Sequence, residues 1–425
     1  MTTIDRLALV GIICALLVAA CAEPGAGGGT ATSGRPAEAT SQPSEPVVAV
    51  DPVDGDEIAV VVDGMTELAV ELYTTLTATQ DGNVLLSPYS ITDGLALPYL
   101  GAAGPTAQAM ADTLGFTLAG DTQHRALATL RGLLADRQSD QLTLRVANRL
   151  YADIGLPLAD AYLADVSRYY GAGVGTVDYA DPEAARAAIN GWVAEQTADR
   201  IEELFPAGTI DATTRLALVN AIYLDAAWHF PFNPDNTSDG PFTTASGEVV
   251  TVPMMHFNES LPSAADPEGA WVAVQLPYAG EELRMVAILP QDLATFEAGL
   301  TPELLDEIRT APTDGGIHLA FPRAELRFHT SLIEPLRTLG MGPALVADAD
   351  FSGITGSPGL IIQAIEHEVF MAIDEEGTEA AAATGTAMAD SHGPTIEFNR
   401  PYLVVIQDDA TGAILFFGRV TDPTG

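Results

Sequence analysis

Histidine, serine and cysteine are the side chains from which a catalytic or metal site would be built, and none stands in a pattern that marks one. The seven histidines do not pair at the spacing of metal ligands, and no G-x-x-x-x-G-K-[ST], H-E-x-x-H or C-x-x-C motif occurs. No serine lies in a G-x-S-x-G elbow. Distant residues can still form a Ser-His-Asp triad, so a hydrolase stays an alternative. We expect no enzyme, no metal site and no cofactor.

A different chemistry is indicated by DEEGTEAAAATGTAMADSHGP, residues 374–394, whose only large aliphatic side chain is Met388. Gly377 and Gly385 disfavour a helix, which would also lack an apolar stripe, and loops of this length without a function are uncommon. Taken as a strand, the segment has one small face and one that carries Glu379. The small face comprises Thr378, Ala380, Ala382 and Thr384. Such a segment can be exposed in one state and enter a sheet in another, because no bulky side chain must pass between packed neighbours.

The composition limits the partners of this chain. Its 425 residues are 47% hydrophobic, which is enough for one large domain or two average ones. The net charge is -40, and all 18 basic residues are arginine. Such a charge repels nucleic acid and anionic membrane surfaces, so neither is an expected partner.

The N-terminus has the composition of an export signal. Arg6 precedes an apolar run over residues 7–20, which is too short for a comfortable membrane span. The run ends in LVAAC, which resembles a bacterial lipobox with Cys21 as the lipidated first residue, although an ordinary cleaved signal is the alternative. We therefore expect a signal peptide over residues 1–20 and an exported protein, either a cell-envelope lipoprotein or extracellular. Cys14 would be removed with the signal, so we expect no disulfide.

The elements that must position any site begin after a linker. Residues 21–56 are rich in Ala, Gly, Pro and Ser and predict a flexible tether, followed by one domain over residues 57–425. Helical periodicity predominates in the first half, as in MTELAVELYTTL and PEAARAAINGWVAEQTADRIEELF. After Arg215, short apolar runs such as LALVNAIYL, IHLAFPRAELRF and AILFFGRV predict strands. Helices first and strands later indicate an α+β fold.

Many segments of this domain resemble, in the same order, those of the serpins. They are NVLLSPYSI at 83–91, RVANRLY at 145–151, INGWVAEQTADRI at 189–201, LALVNAIYLDAAW at 216–228, LGMGPAL at 339–345, IEHEVFMAIDEEGTEAAAATG at 365–385, FNRPYLVVI at 398–406 and ILFFGRV at 414–420. The resemblance implies the serpin fold, with three β-sheets, eight to nine helices and an exposed reactive-centre loop. It also implies suicide inhibition of extracellular serine proteases: the loop is cleaved, and its N-terminal part inserts into the central β-sheet. A non-inhibitory serpin-fold binding protein is the alternative.

The resemblance assigns a hinge to the first part of the loop. Its residues are Glu375, Glu376, Gly377, Thr378, Glu379, Ala380, Ala381, Ala382 and Ala383. Gly377 can bend, Thr378 is uncharged and the alanines are small, so this hinge is compatible with insertion. No proline or bulky side chain occurs between Gly377 and Ala383 apart from Glu379, which lies on the outward face.

The reactive bond is placed by the same resemblance in two ways. Counting from Glu375 gives Ser391–His392, and counting back from FNRPY gives Asp390–Ser391. Ser391 would suggest an elastase-like or broad enzyme with a small pocket, whereas Asp390 would suggest an aspartate-selective protease. Met388 is a third possible bait, for chymotrypsin-like or elastase-like enzymes. Because no basic residue lies in the exposed loop, we expect an elastase-, subtilisin- or chymotrypsin-like target rather than a trypsin-like one.

Further positions match serpin residues that control opening of the main sheet. Ser87, Ser90, Asn220 and His367 match the polar cluster under its centre, the shutter. Trp228 matches the tryptophan at the top of the sheet, the breach, where insertion starts. Arg323 matches a cation that pairs with the hinge acid, so we predict an ion pair with Glu375. Few arginines lie where serpins bind heparin, so we expect no heparin activation. We also expect a monomer, and contact with a membrane only through the lipid anchor.

Overall fold

The computed structural model describes residues 50–171, 173–311, 316–378 and 395–425, with the backbone alone at 258–260 and 316. These residues belong to one compact unit, Ala37–Gly425. They form ten α-helices: α1 (Gly55–Thr77), α2 (Pro88–Tyr99), α3 (Gly104–Leu114), α4 (Thr122–Ala135), α5 (Asp160–Tyr170), α6 (Pro182–Gln196), α7 (Leu293–Ala298), α8 (Pro302–Thr310), α9 (Ile333–Leu336) and α10 (Ser352–Thr355).

The described residues also form fifteen strands. They are β1 (Val84–Leu86), β2 (Leu142–Asp153), β3 (Gly175–Val177), β4 (Leu216–Ala227), β5 (Ser238–Thr243), β6 (Val249–Ala265), β7 (Trp271–Pro277), β8 (Leu283–Pro290), β9 (Gly316–Pro322), β10 (Ala324–Ser331), β11 (Ala364–Ile373), β12 (Gly377–Thr378), β13 (Thr395–Glu397), β14 (Tyr402–Asp408) and β15 (Ile414–Val420).

A six-stranded sheet forms the centre of the molecule. Its strand order is β10-β11-β4-β2-β3, and β12 pairs with β4. The pairing of β4 with β11 is parallel, from Ala217 opposite Ala364 to Tyr223 opposite Phe370. Strand β4 is an almost continuous apolar run because both of its faces are covered. Leu218, Ile222 and Leu224 contribute to the main core, whereas alternate residues pack in a second cluster with side chains of α6.

The remaining strands form a nine-stranded network in the order β1-β15-β14-β8-β7-β6-β9-β13, with β5 also pairing with β6. The long strand β6 joins two parts of this network. Its residues 254–262 pair with β9, and residues 263–265 pair with β7. The three sheets implied by the resemblance are therefore present as one six-stranded sheet and two sheets that share β6.

Local sequence explains where α2 begins, whereas α6 and the run IHLAFPRAELRF differ from the sequence-based expectation. Ser87 caps α2 by accepting a hydrogen bond from the Ser90 amide, with Pro88 in the first turn. The helix predicted over residues 182–205 ends at Gln196. Ala198 and Asp199 there have positive φ angles of 52° and 61°, which no α-helix contains. The run IHLAFPRAELRF is two strands, β9 and β10, which lie in different sheets.

The expectation of eight to nine helices was too low, since ten α-helices occur in the described ranges. Two of them, α9 and α10, have only four residues each. The expected order of helices before strands also overlooked β2, a strand of 12 residues in the first half. Polar side chains such as Thr143, Arg145 and Asn148 interrupt this strand, so it is not the continuous apolar run that predicts a buried strand. Over most of its length β2 also has a partner strand on one side only, among the residues that the structure describes.

Candidate functional site: the hinge and the opening of the central sheet

The hinge begins as a tight turn directly after the C-terminal end of β11. The Asp374 amide donates to the Gly377 carbonyl at 2.9 Å, and one Asp374 carboxylate oxygen accepts from the Glu376 and Gly377 amides at 2.8 and 3.1 Å. Burial raises the pKa of Asp374, and the two amides act against that rise. The turn reverses the chain, so that β12 runs antiparallel to β4, with Gly377 opposite Ala227 and Thr378 opposite Ala226.

Thr378 is buried in the native structure, although the sequence suggested that the small face begins outside the sheet. Its side chain is fully inaccessible, and its hydroxyl lies 2.7 Å from the Tyr278 hydroxyl. Tyr278 stacks on Trp228, with ring centroids 4.6 Å apart. The Trp228 indole N–H donates to the Asp374 carbonyl at 3.0 Å, and its amide donates to the Glu376 carbonyl at 2.8 Å. Trp228 therefore holds the first hinge residues between β4 and the end of β11.

Gly377 is needed here for space rather than for bending. A Cβ atom on this residue would lie 2.1 Å from the Ala226 carbonyl oxygen and 2.8 Å from the Ala227 Cα. Real Cβ atoms do not approach so closely, so only glycine lets β12 reach β4. The sequence analysis assigned Gly377 to the hinge correctly, but it expected the glycine to serve bending rather than close contact with β4.

The predicted ion pair between Arg323 and Glu375 is present. Arg323 Nη2 lies 2.5 Å from Glu375 Oε2, and the Thr237 hydroxyl donates to Glu375 Oε1 at 2.6 Å. The glutamate side chain is 5% exposed, whereas the arginine is half exposed. Burial acts to raise the pKa of Glu375, but the hydrogen bonds from Thr237 and Arg323 outweigh it, so the pKa lies below its ordinary value. The charged carboxylate thus fixes the hinge turn to its surroundings.

The four predicted shutter residues are brought together under the centre of the sheet. The Ser87 amide donates to His367 Nε2 at 3.1 Å, and His367 Nδ1 contacts Asn220 Oδ1. The Asn220 amide group donates to the Ser90 carbonyl at 2.5 Å and to its hydroxyl at 2.9 Å. His367 and Asn220 are also register partners of the parallel β11–β4 pairing, so their contact spans the line along which the sheet would open.

His367 is a neutral histidine in this network. Because its Nε2 accepts from the Ser87 amide, the proton is on Nδ1 and is donated to Asn220. Burial, with a smaller contribution from the charge of His329, lowers the pKa of His367 to about 3. The network is therefore fully hydrogen-bonded and uncharged at neutral pH.

Sequence reasoning missed several partners of these residues. Asn148 on β2 accepts from the Asn220 amide at 2.6 Å and donates to Asp93 at 3.0 Å, and Asp93 pairs with Arg131. Asn148 was detectable, because it is a polar side chain between Val146 and Leu150 on the core-facing positions of β2. Thr237 and Tyr278, which bind the hinge, carried no sequence signal, because their contacts with residues 375 and 378 are purely tertiary.

Several site predictions fall outside the described residues and stay predictions. They are the lipidation site Cys21, the hinge residues Glu379, Ala380, Ala381, Ala382 and Ala383, and the reactive bond at Asp390, Ser391 and His392. Within the described ranges, no cluster of three or more His, Cys, Asp or Glu is arranged to hold a metal ion. No helix in those ranges is both long enough and apolar enough to cross a membrane.

Comparison with known proteins defines the class to which this fold and hinge belong. Residues 63–423 match the family model described as "Serpin (serine protease inhibitor)", so the chain belongs to the serpin family. Proteins named leukocyte elastase inhibitor are similar to it: that of Xenopus laevis is 37% identical over 355 residues, covering 80% of this chain and 93% of the relative. The Bos taurus protein is 35% identical over 380 residues, covering 84% and 98%.

Solved structures agree with this assignment. Thyroxine-binding globulin in complex with thyroxine has a TM-score of 0.78 at 28% identity and covers 86% of this chain and 99% of its own. Uncleaved ovalbumin has a TM-score of 0.80 at 25% identity, covering 85% and 100%. The serpin fold expected from the sequence is thus confirmed. The named relatives come from animals, so they do not support the expected bacterial lipoprotein type.

Proposed function

We propose that this serpin is a suicide inhibitor of serine proteases, in which cleavage of the reactive-centre loop is followed by insertion of residues 379 onward between β4 and β11. The observation that carries the proposal is the short strand β12. It already forms the first two pairs of the new strand, with Ala227 and Ala226 at the top of β4. Below this point β4 and β11 pair directly with each other. The hinge therefore lies at the C-terminal ends of β4 and β11, where separation of these two strands would begin.

The register of β12 predicts the position of each inserted residue. Continued downward, it would place Ala380 opposite Leu224, Ala382 opposite Ile222 and Thr384 opposite Asn220. These three β4 residues face the main core or the shutter. The same register would place Glu379 opposite Asp225, toward the outer face. The small and charged faces of the sequence pattern thus coincide with the buried and outer faces of the sheet.

The hinge turn gives the same register from the other side. The Asp374–Gly377 bond makes β11 and β12 antiparallel, so that continued pairing would put Thr384 opposite His367. Thr384 would then separate His367 from Asn220, which now contact each other. Opening the sheet would exchange that bond for bonds to the threonine hydroxyl, which can both donate and accept.

Insertion is favourable because it adds more strand pairing than it removes. Parting β4 from β11 breaks seven register pairs. A new central strand of similar length pairs on both sides, which adds on the order of ten backbone hydrogen bonds. At about 1 kcal/mol each, the inserted form gains on the order of 10 kcal/mol. Small inward side chains let this gain be realised without displacing the core.

The proposed target is an elastase-like serine protease, as the names of the relatives and the small residue Ser391 at one candidate bond suggest. The test is incubation of the purified protein with pancreatic elastase, subtilisin, chymotrypsin and trypsin. We expect an SDS-stable complex near the summed masses with at least one of the first three and none with trypsin. Mass spectrometry of the released C-terminal peptide would distinguish Ser391–His392, Asp390–Ser391 and a cut after Met388.

A serpin-fold binding protein without inhibition is the second candidate, because a solved relative is a globulin with bound thyroxine. Melting before and after loop cleavage separates the two. Insertion should raise the melting temperature strongly even where trapping fails. Cleavage with no rise and no complex with any of the four proteases would contradict inhibition and favour the second candidate.

We further propose that the chain is exported and held at the cell envelope by a lipid on Cys21. The support is the short apolar run that ends in LVAAC and the polar tether after it. The full chain, expressed with its own N-terminus in a bacterium, should partition into the detergent phase of Triton X-114, and a Cys21→Ala variant should not. Equal partition of both into the aqueous phase would contradict the anchor without affecting the proposed inhibition.

A further inference from the structure

The connection between α6 and β4 crosses the outer face of the central sheet. Its first part, residues 197–205, which we call the strap, contains three fully buried apolar side chains, Ile201, Leu204 and Phe205. They belong to the same buried cluster as Tyr223 of β4 and Phe370 of β11. Tyr223 and Phe370 are direct partners in the parallel pairing of these strands. The strap therefore covers the line between β4 and β11 along which the sheet would open.

On one side of this line, the strap is tied to helix α6 and strand β4. The Asn190 side chain of α6 donates to the Phe205 carbonyl at 3.0 Å and accepts from the Phe205 amide at 2.9 Å. The Arg200 side chain is hydrogen-bonded to the Tyr223 hydroxyl of β4. These contacts fix the strap to the part of the sheet that contains β4.

On the other side of the line, the strap is bound by His329 of β10. The His329 ring is hydrogen-bonded to the main chain of Leu204, and its Nε2 lies 3.1 Å from Glu366 Oε2 of β11. The bond to Leu204 favours the charged ring, so the Leu204 carbonyl is the acceptor. A neutral imidazole has one N–H group, whereas an imidazolium has two. Only the charged ring can give each of its two acceptors an N–H group of its own.

The charged groups that face His329 from the sheet come from β11 and β10. Glu368 lies directly opposite His329 in the β10–β11 register, but its ion-pair partner is Arg327 of β10, at 2.9 Å. Glu366, whose side chain is 6% exposed, is left to His329. His367 lies between these two carboxylates in the strand, on the opposite face of β11, and is neutral.

The charges of the strap itself have other environments. Asp199 and Glu202 are exposed, and Glu203 pairs with Arg186 of α6 at 2.8 Å. The hydrogen bond to Glu366 raises the pKa of His329 above its ordinary value, although burial acts against this rise. The charged ring is therefore favoured by contacts within the fold.

Insertion of a strand cannot keep all of these ties. A new strand between β4 and β11 would move β11 and β10 away from β4 by one strand spacing, about 4.8 Å. The strap would then be pulled between Asn190 and Arg200 on one side and His329 on the other. Since a hydrogen bond does not survive such a displacement, one of the ties must break before the strand can enter.

We propose that His329 is a proton-controlled clasp, which in its charged form fastens the strap to β10 and holds the sheet closed, and which releases the strap when the proton is lost. The folded pKa lies above the ordinary value of 6.5, so the clasp is complete below 6.5 and is lost as pH rises through the folded pKa. Strand insertion is thus slower at mildly acidic than at alkaline pH. This effect on insertion rests on the proposed function, whereas the clasp itself does not.

The clasp is tested by hydrogen exchange of residues 197–205 in the full chain, followed by mass spectrometry at about pH 6 and about pH 9, on either side of the ordinary histidine titration. His329→Phe keeps a ring and removes both N–H groups. The strap peptide is identical in both proteins, so its intrinsic exchange rate cancels. We expect exchange to be at least fivefold slower in the wild type than in His329→Phe at the lower pH, and to differ less than twofold at the higher pH.

Two more variants separate the charge from the side chain. His329→Arg keeps a cation at both pH values, so its strap should exchange slowly at both. His256→Gln is the control, because His256 lies on β6 and pairs with β9 in another sheet, and it should behave as the wild type. Equal exchange in the wild type and His329→Phe at the lower pH would overturn the clasp, as would a strap in His329→Arg that loosens with pH like the wild type.

The ion pair is tested by nuclear magnetic resonance titration of the histidine rings. We expect His329 to titrate above 6.5 in the wild type and at a lower pH in Glu366→Gln. Glu281→Gln is the matched control, because it removes a carboxylate from His229 instead. A His329 titration at or below 6.5, or one that Glu366→Gln leaves unchanged, contradicts the proposal.

The effect on sheet opening is measured without a protease, through the rate at which a synthetic peptide with the sequence of residues 378–389 enters the sheet. In the wild type, we expect entry at the higher pH to be at least fivefold faster than at the lower pH, and this difference should be lost in His329→Phe and His329→Arg. The same pH dependence in all three proteins would overturn the control of insertion by His329. Failure of the peptide to enter any of them would instead count against the proposed function, and the exchange and titration results would still decide whether the clasp exists.

Discussion

Under the proposed mechanism of inhibition, moving one carboxylate by a single residue along the hinge should convert the protein from an inhibitor into a substrate. The double variant Glu379→Ala/Ala380→Glu keeps the composition and charge of the loop. In the register set by β12, it moves the acid from the outer face, opposite Asp225, to the inner face, opposite Leu224. Leu224 is 1% exposed and belongs to the main core.

The size of the effect follows from that burial. On the β11 side, the same position would lie opposite Met371, which is also 1% exposed. An unpaired carboxylate between two such side chains costs several kcal/mol, whether it stays charged or takes up a proton. If about 3 kcal/mol of this cost is present in the transition state for insertion, insertion slows by roughly 100-fold. Hydrolysis of the acyl bond is unaffected and then precedes insertion.

The assay is the stoichiometry of inhibition of whichever protease forms the complex, with cleaved inhibitor measured on SDS gels. We expect the stoichiometry to rise at least tenfold in the double variant and the cleaved product to replace the complex. Glu379→Ala alone is the control, and it should change the stoichiometry by less than about twofold. Equal stoichiometries in the double variant and the wild type would refute the register, and with it the derivation of the inserted strand from β12.

Three other residues give further tests. Gly377→Ala should expel β12 from β4, because the added Cβ has no space; we expect a raised stoichiometry of inhibition, and an unchanged value would show that β12 is not the start of insertion. Arg323→Gln should speed polymerisation on heating, measured by size-exclusion chromatography, because buried Glu375 loses its ion pair, whereas Arg337→Gln on the surface should not. His367 has a folded pKa of about 3 against 6.5 for a free side chain, so the unfolded chain binds the extra proton between these values. The free energy of unfolding should fall as pH drops through this window, and the fall should be smaller in His367→Gln; equal pH dependence would contradict the neutral buried histidine.

The pH dependence at the hinge has the same sign. The pKa of Glu375 is lowered in the fold, so its stabilising contribution is present above its ordinary value of 4.5 and is lost as pH falls through the lower folded value. Glu375 therefore affects stability only below about pH 4.5, whereas His367 begins to affect it near pH 6.5. Both groups therefore make the native form more stable at neutral than at acidic pH.

Some elements were predictable because their local pattern agrees with their environment. The apolar spacing of α1 and the continuous apolar run of β4 predict a helix and a buried strand, and both form. Strand β2 was not predicted as such, because its open edge and exposed residues give it no simple period. The end of α6 at Gln196 was also missed, since helix propensity alone did not indicate a break before Ala198.

The site was predicted in part, but from the resemblance to a family rather than from a local pattern. The resemblance to serpins selected Ser87, Asn220 and His367, and the fold brings them together. It could not supply Tyr278 or Thr237, because hydroxyl groups that bind the hinge from distant strands have no local signal. The expectation that Thr378 starts outside the sheet was wrong, because its hydroxyl finds a buried partner in Tyr278.

By itself, the sequence determined which side chains are small, charged or apolar along residues 374–394, and hence which face of a strand this segment could bury. Only the tertiary structure decided where that strand would begin, because register is set by hydrogen bonds between residues far apart in the chain. Gly377 opposite Ala227 fixes the alignment. A shift by one residue would turn Glu379 toward the core.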